Sequence, residues 1–220
     1  MGHALPIEGH AAFRRLSAEL VLGGESPSLR EGRVATLQTL SGTGALSVAA
    51  AALHRVGGIE DIFVPSPSWG NHAPIFTGAG LRVHAYSYLD ERGTGLDFDA
   101  MARELAALPE GSAVLMHACA HNPTGIDPTP AQWAQVSQAI KAKQHHVLMD
   151  SAYQVRLRLR LRLRVGTATP TLALTLTLTL TLPLTLTLTL PGLRLGRRRG
   201  RRRRPARIRR RWLGLGLGVG

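Results

Sequence analysis

Short apolar runs alternate with amphipathic runs along the first 155 residues, and this alternation restricts the possible folds more than any other feature of the sequence. The apolar runs predict strands at residues 33–38, 61–64, 81–86, 113–116 and 146–149. The amphipathic runs predict helices between them, at residues 43–54, 71–77, 98–108 and 129–143. A chain that alternates strand and helix in this way favours a mostly parallel sheet with helices on both faces. We therefore predict an α/β fold for this part of the chain.

The composition changes abruptly near residue 155. Residues 156–220 contain 17 arginines and no Asp or Glu, whereas the whole chain has 27 basic and 14 acidic side chains. The overall charge of +13 therefore arises from the end of the chain, and the residues before it carry a net charge of −4. We divide the chain into a domain at residues 1–154 and a low-complexity Arg/Leu/Thr-rich tail at residues 155–220, and we interpret each by itself.

Three interpretations of the tail compete. The arginine block at residues 196–211 can neutralise phosphates, which would make the chain a non-enzymatic nucleic-acid binder. The Thr-Leu repeat at residues 175–190 has the period of a strand with one apolar face. A two-residue repeat is also what a six-base simple repeat gives when it is translated. We favour this third interpretation, a gene-model artefact or a disordered segment, in which case nucleic acid binds only non-specifically through charge.

Composition excludes several classes of protein. A single cysteine, Cys119, cannot form an intramolecular disulfide framework. No run of about 18 apolar residues is present, so we expect no membrane-spanning helix. The first residues lack a basic region followed by an apolar one, so we expect a protein that is not secreted and that resides in the cytoplasm or an organelle.

Polar and aromatic residues follow four of the five predicted strands. Ligands of parallel sheets bind beyond the carboxyl ends of the strands, so these residues are expected to meet at one edge. Together they predict one ligand that combines a phosphate, a flat ring with a charged nitrogen and a phenolic oxygen. The segments are Ser41-Gly42-Thr43-Gly44, Ser68-Trp69-Gly70-Asn71-His72, residues 117–125 and Asp150-Ser151-Ala152-Tyr153.

Each segment also has a simpler structural interpretation, and the residues alone leave the choice open. Residues 41–44 open a helix, where free N–H groups and the helix dipole favour a phosphate, but an ordinary capped turn has the same pattern. Trp69 can stack on a flat ring or simply pack in the core. Asp150 can pair with a protonated ring nitrogen or cap the next helix.

The histidines and Asn122 are equally ambiguous. His72 and His117 can orient Asp150 or can be structural histidines of the core. Asn122 precedes Pro-Thr-Gly and can be a turn residue only. Cys119 lies between two histidines, His117 and His121. No second pair of metal-binding side chains accompanies them in the sequence, so we expect no metal site.

Four separate strings make the sequence recognisable. They are LQTLSGTGAL (residues 37–46), PSWGNH (67–72), HACAHNPTG (117–125) and DSAYQ (150–154). In order and spacing they resemble the large domain of the aspartate aminotransferase family, which belongs to the fold-type I enzymes that use pyridoxal 5'-phosphate (PLP). The resemblance covers residues 5–154 and implies a truncated PLP-dependent transferase large domain.

The resemblance implies a role for each matching residue. Ser41, Gly42 and Thr43 would bind the cofactor phosphate, and Trp69 would stack on the pyridine ring. Asn122 and Tyr153 would bind the phenolic oxygen, and Asp150 would pair with the pyridinium nitrogen, supported by His72 and His117. The implied reaction is amino transfer from L-aspartate to 2-oxoglutarate, giving oxaloacetate and L-glutamate, in a homodimer that binds amino acids and 2-oxo acids.

The sequence also departs from the family. The lysine that joins the cofactor covalently follows the Asp-x-Ala-Tyr string in the family, and the two lysines here, Lys141 and Lys143, both precede it. The two arginines that bind substrate carboxylates, and the second arginine that binds the cofactor phosphate, belong to the part of the family sequence that the resemblance does not cover. We therefore assign no catalytic residue and expect this chain to be inactive as written.

Overall fold

The computed structural model of this protein describes residues 5–153, 173–177 and 184–189. The helices are α1 (Ala11–Leu22), α2 (Pro27–Arg30), α3 (Ser41–Ala51), α4 (His72–Gly78), α5 (Phe98–Ala107) and α6 (Pro130–Ala142), and a π-helical turn at Ala52–Val56 continues α3. The strands are β1 (Val34–Thr39), β2 (Asp61–Ser66), β3 (Arg82–Ser87), β4 (Ala113–His117), β5 (His146–Ser151), β6 (Ala173–Thr177) and β7 (Leu184–Thr189). Every strand and helix predicted from the apolar periodicity is present, with small differences at the ends.

The described strands form one sheet in the order β1-β7-β6-β5-β4-β2-β3. β3, β2, β4, β5 and β6 pair in parallel. Antiparallel pairs join β6 to β7 and β7 to β1, so β1 runs in the same direction as β5. The prediction of a mostly parallel sheet is confirmed. The carboxyl ends of β1, β2, β4 and β5 consequently lie at the same edge.

Helices cover both faces of the sheet, as predicted. β4 is buried along its whole length, and its successive side chains point to opposite faces. Leu115 packs into a core with α3 and α4, including Leu46 and Phe76. Val114 and Met116 pack into a second core with α5 and α6. A strand covered on both sides has a continuous apolar sequence, which explains why residues 113–116 lack polar alternation.

Side chains fix the starts of the helices on the second face. Asp97 accepts a hydrogen bond from Ala100 N at 3.0 Å and caps α5. Thr129 and Gln132 form a reciprocal capping box at α6, and Pro130 occupies the first turn, where it has no N–H to leave unpaired. The predicted cap at Asp97 and the predicted start of α6 are confirmed.

The two helices before β1, α1 and α2, were not predicted. Residues 11–22 form α1, whose apolar positions are mixed with Arg14 and Arg15 and whose first turn is capped by the ring of His10. Within the tail, the Thr-Leu segments Ala173–Thr177 and Leu184–Thr189 are strands, in line with the second of the three interpretations of this region. The arginine block lies outside the described residues. Within the described residues, no helix is long and apolar enough to cross a membrane.

Candidate functional site

A cavity of about 180 Å³ lies at the carboxyl edge of the sheet, where β4 and β5 end. β4 contributes His117 and β5 contributes Asp150, and the two residues are paired neighbours in the sheet. The loops after these strands and after β2 supply the remaining walls. The lining residues are Trp69, His117, Cys119, Asn122, Asp150, Ala152 and Tyr153. Five predicted site residues therefore line one cavity.

A buried carboxylate with a dedicated donor forms one wall of the cavity. His72 Nε2 lies 3.0 Å from Asp150 Oδ2, and His72 Nδ1 lies 2.7 Å from Ser68 Oγ. With His72 neutral, Nε2–H donates to Asp150, and the Ser68 hydroxyl donates to Nδ1. Asp150 is only 7 % exposed, and its second oxygen, Oδ1, has no hydrogen-bond partner among the described residues. The site thus retains a carboxylate oxygen available to a cationic donor.

Aromatic rings form a row behind Asp150. The His117 ring lies edge-on to His72 at 5.2 Å and 4.2 Å from His121, which stacks on Tyr88 at 3.8 Å. Burial, with smaller contributions from the neighbouring histidines, lowers the pKa of His117 to about 2. Burial also lowers the pKa of His121 to about 4, partly opposed by Asp127. The rings of His117 and His121 are therefore neutral near pH 7.

The loop after β4 places Asn122 at the cavity. Asn122 N donates to His117 Nδ1 at 3.2 Å, which puts the ring proton of neutral His117 on Nε2. Ala118 N donates to the Asp150 carbonyl at 2.7 Å and ties the start of this loop to β5. Both ends of the segment that carries Asn122 are thus bound to the ends of β4 and β5, at His117 and Asp150.

Trp69 and Tyr153 are the two large aromatic residues of the cavity lining apart from the histidine. The Trp69 ring stands edge-on to His72 at 5.3 Å and also packs against the core beneath α3 and α4. Tyr153 is 40 % exposed. Cys119 Sγ lies 3.5 Å from the Tyr153 carbonyl oxygen, and burial raises the pKa of its thiol. An aromatic surface, a phenol and a buried carboxylate therefore share one small space.

Residues 41–43 lie at the same edge of the sheet but do not line the cavity. They form the first turn of α3 directly after β1, where the backbone N–H groups have no partner within the helix. Gly42 is buried and Ser41 has a positive φ of 60°. In the strand order, β7 and β6 stand between β1, which precedes this turn, and β5, which carries Asp150, while α3 itself shares a core with Leu148 of β5.

The two lysines lie at the other end of the sheet. Lys141 is on the last turn of α6 and Lys143 follows it, just before β5 begins at His146. Asp150 lies near the carboxyl end of that strand, at the cavity. At about 3.3 Å per residue, His146 at the start of β5 lies roughly 13 Å from Asp150, and both lysines precede His146. Within the described residues, no group of three or more His, Cys, Asp or Glu side chains is placed to bind a metal ion.

Four residues that support the site were given no role from the sequence, namely Ser68, Tyr88, His121 and Asp127. Ser68 and His72 are four residues apart, as are His117 and His121. This spacing could have indicated the contact within each pair. Tyr88 comes from the loop after β3 and Asp127 from the segment before α6. Their contacts join distant parts of the chain, and only the folded structure reveals them.

The fold and this cavity define an α/β protein with a candidate ligand site at the carboxyl edge of a mostly parallel sheet. The model of the family described as aminotransferase class I and II matches residues 3–196. The chain belongs to this family.

Known proteins are similar to the chain over most of its described part. It is 50 % identical over 149 residues to a mitochondrial aspartate aminotransferase of Dictyostelium discoideum, with 68 % of this chain and 35 % of the relative covered. Identity is also 50 % over 150 residues with a cytoplasmic aspartate aminotransferase of Oryza sativa subsp. japonica, covering 68 % and 37 %. The chain thus spans about a third of the length of these curated relatives.

The fold is similar to that of a solved aminotransferase. An aromatic-amino-acid aminotransferase of Burkholderia pseudomallei, crystallised covalently bound to pyridoxal phosphate, superposes with a TM-score of 0.75 at 33 % identity. The superposition covers 86 % of this chain and 51 % of that protein.

Proposed function

We propose that this chain forms part of the PLP-binding domain of an aspartate aminotransferase. The observation that carries the proposal is the buried Asp150 carboxylate, held by His72 through one oxygen and unpartnered at the other among the described residues. An unpaired carboxylate oxygen in a buried site is costly, and a protonated ring nitrogen is the type of donor that would satisfy it. The similarity to two aspartate aminotransferases at 50 % identity supports the choice of reaction.

The cavity residues fit the chemistry of PLP. Asp150 would accept a charge-assisted hydrogen bond from the pyridine nitrogen and keep it protonated. A protonated pyridine ring acts as an electron sink for the electron pair released at an amino acid's α-carbon. His72 would hold Asp150 in place, since its Nε2–H occupies Oδ2 and leaves Oδ1 for the ligand. The neutral rings of His117 and His121 leave the carboxylate charge available to that cation.

Other residues would orient the ring. Trp69 offers an aromatic face, and Asn122 and Tyr153 offer polar groups for the phenolic oxygen. Residues 41–43 would bind the phosphate with the free N–H groups of the first turn of α3. Since these residues do not line the described cavity, the phosphate would have to extend from the cavity toward α3 along the sheet edge.

In the whole protein the proposed reaction transfers the amino group of L-aspartate to 2-oxoglutarate and gives oxaloacetate and L-glutamate. A homodimer is the assembly that membership of this family favours. In this chain we propose that PLP binds without a covalent bond, because Lys141 and Lys143 lie at the opposite end of β5. Turnover is therefore not expected. The relatives' names place them in the mitochondrion and the cytoplasm, and either compartment suits the proposal.

Circular dichroism of the full chain titrated with PLP tests the proposal. PLP is achiral, so a saturable signal in its absorption band reports an asymmetric binding site. We expect such a signal with PLP and roughly tenfold weaker binding of pyridoxal, which lacks the phosphate that the α3 amides would bind. Absence of any saturable signal would contradict the proposal. Equal affinity for PLP and pyridoxal would contradict only the proposed role of residues 41–43 in binding the phosphate.

A further inference from the structure

The carboxylate of Asp127 binds the backbone of the loop that carries Cys119 and Asn122. Its Oδ2 accepts a hydrogen bond from Ala120 N at 2.7 Å, and its Oδ1 accepts one from His121 N at 2.9 Å. Two successive N–H groups that point at one anion form a nest, a backbone concavity that favours negative charge. Asp127 supplies that charge from within the chain.

The nest stabilises an unfavourable backbone conformation. Ala120 has a φ of 50°, in the left-handed region that residues with a Cβ seldom adopt. A left-handed residue next to a right-handed one is what aligns two successive N–H groups toward one point. The two charge-assisted hydrogen bonds from Ala120 and His121 therefore compensate for the strain of the turn that they create.

Further contacts fix the position of Asp127 itself. Tyr88 Oη donates to the Ile126 carbonyl at 2.7 Å, and Ile126 N donates to Thr124 Oγ1 at 3.1 Å. Gly125 N donates to the His121 carbonyl and closes the turn between the nest and Asp127. The carboxylate is thus held at a defined distance from the loop that it binds.

We infer that Asp127 is a positioning residue that holds the loop of residues 118–122 against the cavity and so places Cys119 and Asn122. It acts through the backbone and does not line the cavity. The inference deepens the proposed function, and its consequence for PLP rests on that function. The placement of the loop, however, can be measured without any ligand.

Cys119 offers the readout, because it is the single cysteine of the chain and lines the cavity. We compare alkylation of the full chain by iodoacetamide in the native protein, in Asp127→Asn and in Asp90→Asn as a matched control. Asp90 also accepts a backbone N–H from an exposed turn, that of Thr94 at 2.8 Å, but it is not part of the cavity loop. Both variants lose one charge and one turn-capping carboxylate.

The alkylation rates are measured at several pH values, which separates the effect of the lost Asp127 charge from the effect of a displaced loop. Burial raises the pKa of the Cys119 thiol, and the charges of Asp127 and Asp150 add to this effect. Loss of charge alone moves the midpoint of the profile to lower pH and leaves the limiting rate at high pH unchanged. A released loop raises the limiting rate itself. We expect Asp127→Asn to raise that limiting rate about tenfold and Asp90→Asn to leave it within about twofold.

Two results would overturn the inference: a limiting rate for Asp127→Asn equal to that of the native chain, or an equal increase in Asp90→Asn. The second arm measures PLP affinity, which should fall about tenfold in Asp127→Asn. If the native chain binds no PLP, the proposed function fails while the alkylation rates still decide the role of Asp127. If alkylation changes and PLP affinity does not, the loop is positioned by Asp127 but the claimed consequence for the site is wrong.

Discussion

His72 Nε2 lies 3.0 Å from Asp150 Oδ2, and the two side chains are 1 % and 9 % exposed. The histidine comes from the first residue of α4 and the carboxylate from β5, so this contact joins two elements far apart in sequence at the wall of the cavity. The Ser68 hydroxyl, 2.7 Å from His72 Nδ1, completes the contacts of the imidazole. Burying a carboxylate with one unpaired oxygen destabilises the fold, and the same oxygen can accept a hydrogen bond from a cationic ligand.

Replacing His72 by Phe should destabilise the protein. The new ring can keep the packing of His72 on Phe76, whose ring lies parallel at 5.9 Å, but it leaves both oxygens of Asp150 without a donor. We expect the free energy of unfolding in urea to fall by about 3 kcal/mol. The same substitution in an Asp150→Asn background should cost clearly less, because no buried charge is then stranded. Equal losses in the two backgrounds would show that the contact with Asp150 is not the cause.

The stability of the chain should fall as the pH drops from 6.5 to about 4. Burial lowers the pKa of His121 from 6.5 to about 4, so the unfolded chain binds this proton more readily than the folded one. The stabilisation is therefore complete above pH 6.5 and is lost progressively as the pH falls through this window. His121→Phe keeps a ring against Tyr88 and removes the titrating group. Urea unfolding at several pH values should show that the free energy of unfolding depends less steeply on pH in this variant. An unchanged slope of free energy against pH would contradict the prediction.

Gly80 is required by the turn between α4 and β3. Its φ is +99°, and a Cβ there would lie 2.9 Å from His54 Nε2, whereas a Cβ at Gly78 would meet nothing within 4 Å. We expect Gly80→Ala to lower the free energy of unfolding by about 1–3 kcal/mol. Gly78→Ala, at the end of α4, should change it by less than about 1 kcal/mol. Thermal unfolding of both variants checks the prediction, which is wrong if the two substitutions have the same effect.

Reduction with borohydride should trap no specific PLP adduct at the cavity. Lys141 and Lys143 lie before β5, at the edge of the sheet opposite Asp150. Peptide mapping after reduction should recover only low, non-saturating modification at these two lysines. A Lys141→Arg/Lys143→Arg variant should lose that modification and keep the circular-dichroism signal of bound PLP. A single lysine modified stoichiometrically at low PLP would contradict the account of non-covalent binding.

Much of the fold follows from local patterns in the sequence. Residues 113–116 and 147–149 are apolar because their strands are covered on both faces, and the polar residues that end these strands must then meet at one edge. This reasoning placed His117 and Asp150 together, and the structure pairs them in adjacent strands. The clustering of Trp69, Asn122 and Tyr153 around the same cavity follows from the same rule.

The remaining features depend on contacts that no local pattern encodes. The capping of α1 by a histidine ring is a rare use of that residue, and the mixed charges of α1 hide its apolar face. Asp127 acts on Ala120 only because the intervening turn folds back, and Tyr88 reaches His121 from the loop after β3. Local patterns likewise do not show that β7 and β6 stand between β1 and β5, or that residues 41–43 fall outside the cavity lining.

PLP affinity of the Asp150→Asn variant tests the central claim most directly. Asn keeps the shape of the side chain and removes the charge, so the pyridinium loses its charge-assisted partner. Measured by the PLP circular-dichroism signal of the full chain, we predict a dissociation constant raised about 10- to 100-fold. Asp99→Asn, on the first turn of α5 and away from the cavity, serves as the control and should bind as the native chain does. Equal PLP affinity in Asp150→Asn and the native chain would contradict the claim that this carboxylate binds the cofactor.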